Sequence, residues 1–409
     1  MRLLLITSYY KPAYVYGGPV RSISTLCEAM VKLGAQVTVL TTDANGDQRL
    51  KVPLQKSTQV DGVEVYYYPV RPGFIPNFFY SPSLARGIKE KIPDFDIAVL
   101  EVFFTHAMGP AVNACRRAGV PYIVSLRGQL LPWSLKQKWF KKRIYHVLLG
   151  RAYLNHAAAL HCTDRSEEAA IRKLGFNIPT FVVPNGLDCR RFLNLPARGI
   201  IRHRFNIPED AKLLLFLGRL HPKKRPDIAI EALASAQSFS PGTHLLLAGP
   251  DEMQLAPKLR AQAEQSGCHD KVHIAGLLDG DDLLSALADA DLFLMPSEPE
   301  SENFGMSALE AMAAGLPILV SEGVPVGRDA ELAGAGWVVP ATASAFTQVT
   351  RELLADAHRL KEMGREGQIL VRQKYDISKV AERMMRQYEA IIATGRPLPE
   401  EELPLRRAG

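Results

Sequence analysis

Cysteine is scarce in this chain of 409 residues, and long hydrophobic runs are missing. The five cysteines are scattered and never form a Cys-x-x-Cys pair. This pattern argues against a disulfide framework or a zinc site and is expected of a reducing compartment. No segment approaches the roughly 20 apolar residues that a membrane-spanning helix needs, and the apolar opening of residues 1–6 is too short for a signal peptide. The sequence therefore predicts a cytoplasmic protein that begins with a buried strand.

Three motifs of common nucleotide-dependent enzymes and hydrolases are also missing. Neither half of the chain has Gly-x-Gly-x-x-Gly after its first predicted strand, and no Walker-type Gly-Lys-Ser/Thr occurs. The Gly-x-Ser-x-Gly elbow of α/β hydrolases is absent as well. These absences disfavour a dinucleotide-dependent oxidoreductase, an ATPase and a hydrolase of that fold.

Acidic residues are missing from one long stretch. Residues 102–163 contain no Asp or Glu, although the net charge of the whole chain is only +6. Within this stretch, residues 130–151 combine aromatic side chains with six Lys and Arg residues, which predicts an interfacial helix on an anionic membrane surface. An ordinary surface helix stays open as the alternative. The stretch matches no nucleic-acid-binding motif, so we expect no nucleic-acid partner.

Short apolar runs alternate with helical patterns along nearly the whole chain, which is typical of parallel sheets with helices on both faces. The alternation is interrupted once, since residues 189–211 show no clear element. The chain is also longer than one ordinary core needs. We therefore predict an α/β protein of two doubly wound domains, residues 1–190 and 191–375. A further helix at about residues 376–393 is expected to pack back on the first domain.

The most informative segment is Pro296–Pro317, which follows an apolar strand at a position where open α/β sheets bind ligands. A helix is predicted from about Phe304 to Gly315, and its body is small or apolar except for Glu310. A helix that is apolar all round is expected to be buried, so Glu310 needs a partner, either a structural Arg or amide or a ligand diol. Glu302 precedes the helix, and free N–H groups between the two carboxylates suit a diphosphate.

A glycine-containing turn follows the first strand of each predicted domain. In the second domain, Gly218 is followed by a basic run in which Arg219 and Lys224 could neutralise a diphosphate. A solvated basic loop is the alternative. In the first domain, Gly17 and Gly18 form a turn where backbone amides could approach a ligand, although paired glycines also mark ordinary turns.

Three Asp-x-Asp triplets could in principle hold a metal ion. Each of them lies at the boundary of a predicted element, where Asp commonly caps helices and ends turns. We therefore expect structural roles for all three and predict no metal site. The triplets begin at Asp94, Asp279 and Asp289.

Taken in order, these motifs resemble those of the large family of retaining glycosyltransferases called family 4, which has the GT-B fold. The resemblance covers nearly the whole chain, and its strength lies in the ordered set, because each motif alone is modest. The set consists of Gly17-Gly18, Val183–Asp188 at the domain junction, Gly218-Arg219 with Lys224, Ala248-Gly249-Pro250, and the Glu-x7-Glu pair of Glu302 and Glu310.

The resemblance implies two Rossmann-like domains that face a central cleft, and transfer of a sugar from a UDP- or GDP-linked donor to a hydroxyl acceptor with retention of configuration. It implies neither a metal nor a cofactor. Glu302 would contact the donor sugar, Glu310 the ribose, and Arg219 and Lys224 the phosphates. The remaining implied donor-binding positions are Gly17, Gly18, Gly218, Gly249, Asn303, Phe304, Gly305 and Met306. The family context suggests the synthesis of surface polysaccharide or lipid-linked glycan.

One position departs from the family pattern. Many members have a His near the sugar, after the strand that here ends at Leu126, where this chain has Arg127. Arg127 takes the place of that His, or the role is absent. His106 is another candidate for the role, although a lone His is often structural.

Two other functions stay open. One is a nucleotide-sugar epimerase or hydrolase of the same fold, and the other is a catalytically silent partner in glycan assembly.

Overall fold

The computed structural model describes residues 1–71, 78–101, 103–136 and 150–399. The chain divides into two compact units. The first comprises Met1–Gly186 and a C-terminal segment that begins at Ile377, and the second comprises Leu187–Asp376. Within the described ranges, no helix is long and apolar enough to cross a membrane.

The first unit is built on a parallel sheet with one antiparallel edge. Its strands are β1 (Arg2–Ile6), β2 (Gln36–Thr42), β3 (Ala44–Asn45), β4 (Gln48–Arg49), β5 (Ser57–Val60), β6 (Val63–Tyr68), β7 (Ile97–Glu101), β8 (Tyr122–Ser125), β9 (Ala159–Cys162) and β10 (Thr180–Val182). The order in the eight-stranded sheet is β10-β9-β8-β7-β1-β2-β6-β5, and β3 pairs with β4 separately. The edge strand β5 runs antiparallel to β6, against the expectation of a wholly parallel sheet. Its residues alternate between exposed and half-buried, so no apolar run marks it in the sequence.

Helices of the first unit follow the sheet strands. They are α1 (Gly18–Lys32), α2 (Pro82–Lys91), α3 (Met108–Ala118), α4 (Pro132–Lys136), α5 (Arg151–Asn155) and α6 (Arg165–Lys173). In α1, the buried side chains include Val20, Ile23, Cys27 and Met30, whose three- and four-residue spacing gives the helix one apolar face. That face packs on the same core as β1 and β2.

The second unit is built on a fully parallel sheet. Its strands are β11 (Leu213–Leu217), β12 (His244–Ala248), β13 (Val272–Gly276), β14 (Leu292–Met295), β15 (Ile318–Ser321) and β16 (Gly336–Val339). They form a six-stranded sheet in the order β13-β12-β11-β14-β15-β16, with parallel neighbours throughout. All five residues of β11 are buried, as expected of a continuous apolar run covered on both faces.

The helices of the second unit include one that the sequence does not predict. They are α7 (Ile200–Arg204), α8 (Pro226–Ala236), α9 (Ala256–Gln265), α10 (Gly280–Asp289), α11 (Met306–Ala313), α12 (Pro325–Leu332), α13 (Ala343–Leu354) and α14 (Ala357–Leu370). The expectation that residues 189–211 contain no element is wrong, because α7 lies there. A distant side chain stabilises the start of this short basic helix. The Asp289 carboxylate accepts hydrogen bonds from the backbone N–H groups of Ile201 (2.7 Å) and Arg202 (3.0 Å).

The last helix, α15 (Ile377–Thr394), belongs to the first unit. Its buried residues, which include Ile377, Met384 and Tyr388, share a core with Leu3 and Cys27. Close packing also explains Gly186, because a Cβ there would lie 2.7 Å from the side chain of Ile377. The chain therefore returns to its first unit after completing the second.

Each sheet has one place where the strand order reverses. In the first unit the chain builds outward from β1 through β2 and then continues on the other side of β1 with β7. In the second unit, the same reversal lies between β11 and β14. Ligands of open α/β sheets bind beyond the carboxyl ends of the strands at these points. The residues that follow β1, β7, β11 and β14 therefore lie where a ligand is expected.

Candidate functional site

Two loops of the second unit meet at its reversal point. One follows β11 and spans residues 218–225, and the other follows β14 and spans residues 296–305. The Lys224 ammonium forms an ion pair with the Glu302 carboxylate, and each side chain is only 14% exposed. The backbone N–H of Glu298 also donates to the Lys223 carbonyl at 2.8 Å. The structure thus brings two predicted site residues together at the edge where a ligand is expected.

Further positive charge surrounds this ion pair. Burial, followed by the neighbouring Lys224 ammonium, lowers the pKa of Lys223 to about 8, while Glu302 opposes the shift. Arg219 contributes to the same shift, and its own side chain is half exposed, 3.7 Å from Glu252. Such a concentration of cations beside one carboxylate is suited to an anionic ligand.

Arg225 joins the two loops from the other side. Its backbone has a φ of +51°, which is unusual for a residue with a side chain. Its guanidinium pairs with the Asp227 carboxylate at 2.8 Å and reaches Glu298 at 3.4 Å. The left-handed backbone turns the chain from the loop into α8, and the ion pairs fix that turn.

The helix α11 starts beside the same loop, at a glycine that no other residue could replace without rearrangement. Gly305 has a φ of +98°, and a Cβ there would lie 2.6 Å from Val324 Cγ1. No side chain caps the helix at this end. The first N–H groups of such a helix carry partial positive charge and are suited to an anion.

Glu310 is less buried than the sequence predicts. Within α11, one face is buried, comprising Ala308, Leu309, Ala311, Met312 and Ala313. Glu310 and Ser307 are half-buried and lie on the opposite stripe, three residues apart. The expectation of a helix buried all round is therefore wrong, because only one side of this short helix packs on the core. The argument from burial is thereby weakened, and the role of Glu310 as a ligand-binding residue stays a prediction that rests on the family resemblance.

The other predicted donor-binding positions of the second unit differ in their surroundings. The ring of Phe304 packs in the core against Tyr375 at 5.8 Å, so only its backbone could serve a ligand. Asn303 and Met306 are half-buried. Gly249 has a φ of +150°, and a Cβ there would lie 1.9 Å from the Gly218 carbonyl oxygen. These two glycines therefore allow the chain segments that follow β11 and β12 to touch.

In the first unit, Gly17 and Gly18 lie at the start of α1, after β1. Gly17 has a φ of +71°, and a Cβ at either glycine would meet no atom within 4 Å. No side chain caps this helix end. The space beside this turn is open, and the approach of a ligand to its amides stays a prediction.

Arg127 is buried in a network at the carboxyl ends of β7 and β8. Its guanidinium pairs with the Glu101 carboxylate at 2.5 and 3.0 Å, and the two side chains are 8% and 3% exposed. It also donates to Asn185 Oδ1 at 2.8 Å and to Ser22 Oγ at 3.4 Å. The guanidinium is thus largely occupied by protein groups, which favours a positioning role over direct contact with a sugar.

His106 lies in an aromatic environment after β7. Its Nδ1 accepts a hydrogen bond from the Ser81 N–H at 3.3 Å, and its ring lies edge-on to Tyr80 and Phe78, with centroid distances of 4.6 and 5.9 Å. Burial lowers the pKa of His106. The side chain is half-buried and not part of the Arg127 network.

Two groups that matter here were not identified from the sequence. Glu101 is the last residue of the buried strand β7 and belongs to no motif, and Lys223 lies in the basic run beside Lys224 without a motif of its own. A signal for Glu101 did exist. Arg127 lies in residues 102–163, which contain no acidic residue. If Arg127 is buried, its charge needs a carboxylate from outside that stretch, and Glu101 is the residue directly before the stretch.

Two of the three Asp-x-Asp triplets hold structural ion pairs or hydrogen bonds, whereas Asp279 precedes α10 without a side-chain hydrogen bond that caps it. Asp289 holds the start of α7, and Asp291 pairs with the buried Arg202 at 3.0 Å. Asp96 pairs with Arg2 at 2.8 Å. Among the residues described, no group of three or more His, Cys, Asp or Glu side chains could hold a metal ion.

Comparison with known proteins follows the division into two units. Residues 17–186 match the model of the glycosyl transferase 4-like domain, and residues 197–369 match that of glycosyl transferases group 1. An uncharacterized glycosyltransferase of Methanocaldococcus jannaschii is 27% identical over 336 residues, which is 78% of this chain and 80% of that protein. The phosphatidyl-myo-inositol mannosyltransferase of Mycobacterium leprae is 24% identical over 395 residues, covering 93% of this chain and 95% of that protein.

A solved structure shows the same architecture. The Anabaena protein HepE, crystallised in complex with UDP and glucose, superposes with a TM-score of 0.76 at 19% identity, covering 95% of this chain and 100% of that one. The two Rossmann-like units therefore form the GT-B fold. Since the two matched regions together span most of the sequence, the chain belongs to the glycosyl transferases group 1, a family-4-like group, and is a glycosyltransferase.

Proposed function

We propose that this protein transfers a sugar from a nucleoside diphosphate sugar to a hydroxyl group of an acceptor, with retention of configuration and without a metal ion. The donor binds in the second unit, at the loops that follow β11 and β14. The acceptor binds in the first unit. Retention rests on the family resemblance.

The observation that carries this proposal is the ion pair of Lys224 and Glu302 at the reversal point, with Arg219 and Lys223 close by. In such a donor the phosphates are bonded directly to the sugar. In the protein the Lys224 ammonium, which suits phosphate, lies beside the Glu302 carboxylate, which suits sugar hydroxyls. Lys224 and Arg219 bind the diphosphate, Glu302 accepts hydrogen bonds from sugar hydroxyls, and Glu310 does so from the ribose.

The chemistry follows from these placements. When the anomeric C–O bond breaks, negative charge develops on the departing diphosphate, and fixed cations lower the energy of that state. The start of α11 adds the partial charge of its N–H groups. The acceptor oxygen takes the place of the diphosphate at the anomeric carbon, and the hydroxyl proton is released together with the nucleoside diphosphate.

The family resemblance leaves UDP and GDP as the two candidate donor nucleotides. HepE was crystallised with UDP and glucose, which supports UDP. The M. leprae relative is named as a mannosyltransferase acting on phosphatidyl-myo-inositol, which supports a lipid-linked acceptor. Synthesis of surface polysaccharide or lipid-linked glycan is the process we propose for this chain.

The test is a panel of UDP- and GDP-linked sugars, each incubated with the protein and excess EDTA, with release of the nucleoside diphosphate as the readout. We expect one donor to be consumed faster when a hydroxyl acceptor is present. Lys224→Met and Glu302→Gln should abolish most of this turnover, whereas Lys258→Met, which changes an exposed lysine on α9, should not.

Two results would contradict the proposal. Turnover that needs Mg²⁺ or Mn²⁺ would show that protein cations do not suffice. Donor consumption that no acceptor accelerates, with free sugar or an isomerised donor as the product, would indicate the hydrolase or epimerase.

Contact with a membrane stays a separate proposal. The predicted interfacial helix of residues 130–151 falls largely on residues 137–149, which lie outside the described ranges. Sedimentation with phosphatidylglycerol vesicles, but not with neutral ones, is the expected result at low salt. Joint replacement of Lys138, Lys141 and Lys142 by Glu should release the protein, and a wild type that ignores anionic vesicles would leave an ordinary surface helix.

A further inference from the structure

The loops that follow β11 and β14 share one ion pair that takes no part in the proposed binding of the donor. It joins the guanidinium of Arg225, at the end of the first loop, to the carboxylate of Glu298, near the start of the second, at 3.4 Å. The same two loop segments also meet through their backbones, since the Glu298 N–H donates to the Lys223 carbonyl at 2.8 Å. Contacts between the loops are thus concentrated at residues 223–225 and 298–302.

The Arg225 guanidinium is held in one direction by a second carboxylate. Its Nε lies 2.9 and 3.1 Å from the two carboxylate oxygens of Asp227, and its Nη2 pairs with the same carboxylate at 2.8 Å. Asp227 lies in the first turn of α8, where the helix dipole favours a negative charge. The contact with Glu298 is made by the other terminal nitrogen, Nη1. Asp227 therefore orients the guanidinium, and its free end reaches the loop after β14.

Each of the two loops contains a residue whose backbone conformation is unfavourable for a side chain. Arg225 has a φ of +51° and Glu300 a φ of +59°. A glycine adopts such a conformation without strain. Strain of this kind persists only where the surroundings enforce it, and it is concentrated at functional sites. An arginine at a position that suits glycine indicates that its side chain does more than complete a turn.

The ion pair lies close to both charged groups of the proposed donor site. Lys224, which binds the diphosphate in that proposal, is the chain neighbour of Arg225. Glu302, which binds the sugar, follows Ser301, and the Ser301 hydroxyl donates to the Glu298 carbonyl at 2.7 Å. A short segment thus connects Arg225 to the phosphate group and Glu298 to the sugar group.

We propose that Arg225 is a positioning residue, whose ion pair with Glu298 sets the distance between the phosphate-binding Lys224 and the sugar-binding Glu302. When the donor binds, its phosphates and hydroxyls become the partners of Lys224 and Glu302, so the direct ion pair of these two residues no longer holds the loops. The contacts of Glu298 with Arg225 and with the Lys223 carbonyl then do so. This inference rests on the proposed function, because it describes how that donor site keeps its geometry.

Positioning affects turnover more than it affects nucleotide binding. The nucleoside diphosphate is held by groups other than the Arg225 side chain, whereas transfer requires the sugar to be placed correctly relative to the breaking bond. A displacement of about 1 Å can lower a rate by about a hundredfold. Loss of the ion pair should therefore lower kcat and leave the affinity for the nucleotide nearly unchanged.

The experiment measures both quantities in Arg225→Gln, Glu298→Gln and the double variant. Turnover is the release of nucleoside diphosphate from a panel of UDP- and GDP-linked sugars that includes UDP-glucose and GDP-mannose, in EDTA and with glycerol as the hydroxyl acceptor. Calorimetry gives the affinity for UDP and GDP. We expect each single variant to lower kcat by roughly 3- to 30-fold and nucleotide affinity by less than about twofold. The double variant should be no slower than Arg225→Gln, because both residues act through one contact.

Three further variants separate positioning from support of the fold. Arg225→Lys keeps the positive charge and should recover part of the turnover lost in Arg225→Gln. Arg225→Gly removes the side chain but relieves the backbone strain, so it should unfold at or above the temperature of Arg225→Gln and still turn over slowly. Arg260→Gln changes an exposed arginine on α9 and should match the wild type in kcat and affinity.

Three results would overturn the inference and leave the proposed function intact. The first is an unchanged kcat in both single variants. The second is a fall of kcat and nucleotide affinity by the same factor, as expected if Arg225 only supports the fold of the basic loop. The third is an additive loss in the double variant, which would show that the two residues act separately. A wild type that consumes no donor of the panel would instead contradict the proposed function, and this inference with it.

Discussion

Arg127 offers the sharpest distinction between a structural and a catalytic role. We predict that Arg127→Met destabilises the first unit by about 3–5 kcal/mol, the usual cost when a buried ion pair loses one partner. The cost arises because the Glu101 carboxylate, only 3% exposed, is left charged without its guanidinium. The acceptor oxygens of Asn185 and Ser22 lose their donor as well.

The double variant Arg127→Met/Glu101→Met separates these terms. It removes both charges, so the uncompensated carboxylate is gone and only the lost hydrogen bonds to Asn185 and Ser22 remain. At about 1 kcal/mol each, these give a cost of roughly 1–2 kcal/mol. The double variant should therefore be more stable than the Arg127→Met single variant by about 1–4 kcal/mol.

Hydrogen–deuterium exchange with mass spectrometry is the appropriate assay, because the two units need not unfold together. Peptides from β7 and β8 should lose protection by roughly a hundredfold or more in Arg127→Met, and they should recover in the double variant. Peptides from β11, in the second unit, serve as the internal control.

The reasoning fails if β7 and β8 exchange as in the wild type. It also fails if the double variant is no better than the single one. Should Arg127→Met keep full protection and lose only turnover, Arg127 acts on the substrate, as the family pattern suggests.

Three further predictions concern single groups. Burial lowers the pKa of His161 to about 4, whereas the pKa in an unfolded chain is about 6.5. The stability that is present above pH 6.5 is therefore lost as the pH falls towards 4, by about 3 kcal/mol at most. Urea titrations should show a smaller loss for His161→Gln than for the wild type, and equal losses would contradict this prediction. Gly249→Ala places a Cβ 1.9 Å from the Gly218 carbonyl oxygen and should lower the free energy of unfolding by roughly 3 kcal/mol or more. Gly242→Ala adds a Cβ in open space and should leave the free energy of unfolding unchanged. Thermal unfolding of the two variants and the wild type tests this difference. Since burial lowers the pKa of Lys223 to about 8, nucleotide affinity should decline as the pH rises above 8, and Lys223→Met should remove that decline in a calorimetric pH series.

Much of the fold can be predicted from this sequence, because parallel strands buried on both faces appear as continuous apolar runs. Leu213–Leu217 and Leu292–Met295, for example, are wholly apolar in sequence and are buried strands. The edge strand β5 and the helix α7 cannot be found this way, since neighbouring elements stabilise them and their own patterns are weak. The start of α7 is stabilised by a hydrogen bond from the Ile201 N–H to the Asp289 carboxylate, 88 positions further along the chain. A local sequence pattern cannot reveal a contact over that distance in sequence.

The candidate site is predictable only in part. Lys224 and Glu302 can be predicted as site residues because each follows an apolar run that is recognisable as a strand, at the edge where open α/β sheets bind ligands. The exposure of Glu310 could not be predicted, because apolar composition does not reveal which side of a short helix packs. Similarly, the burial of Arg127 depends on Glu101 and Asn185, which come together only when the strands from β7 to β10 form one sheet.

The most direct test of the account is calorimetric titration of UDP and GDP into the protein in EDTA. We predict that one of them binds, that Lys224→Met weakens this binding by about tenfold or more, and that Glu310→Ala costs about 1.5–3 kcal/mol, as expected of lost charge-assisted hydrogen bonds. Lys258→Met should bind like the wild type. Binding of neither nucleotide, or equal affinity in Lys224→Met and wild type, would contradict the claim that the loops after β11 and β14 hold the donor.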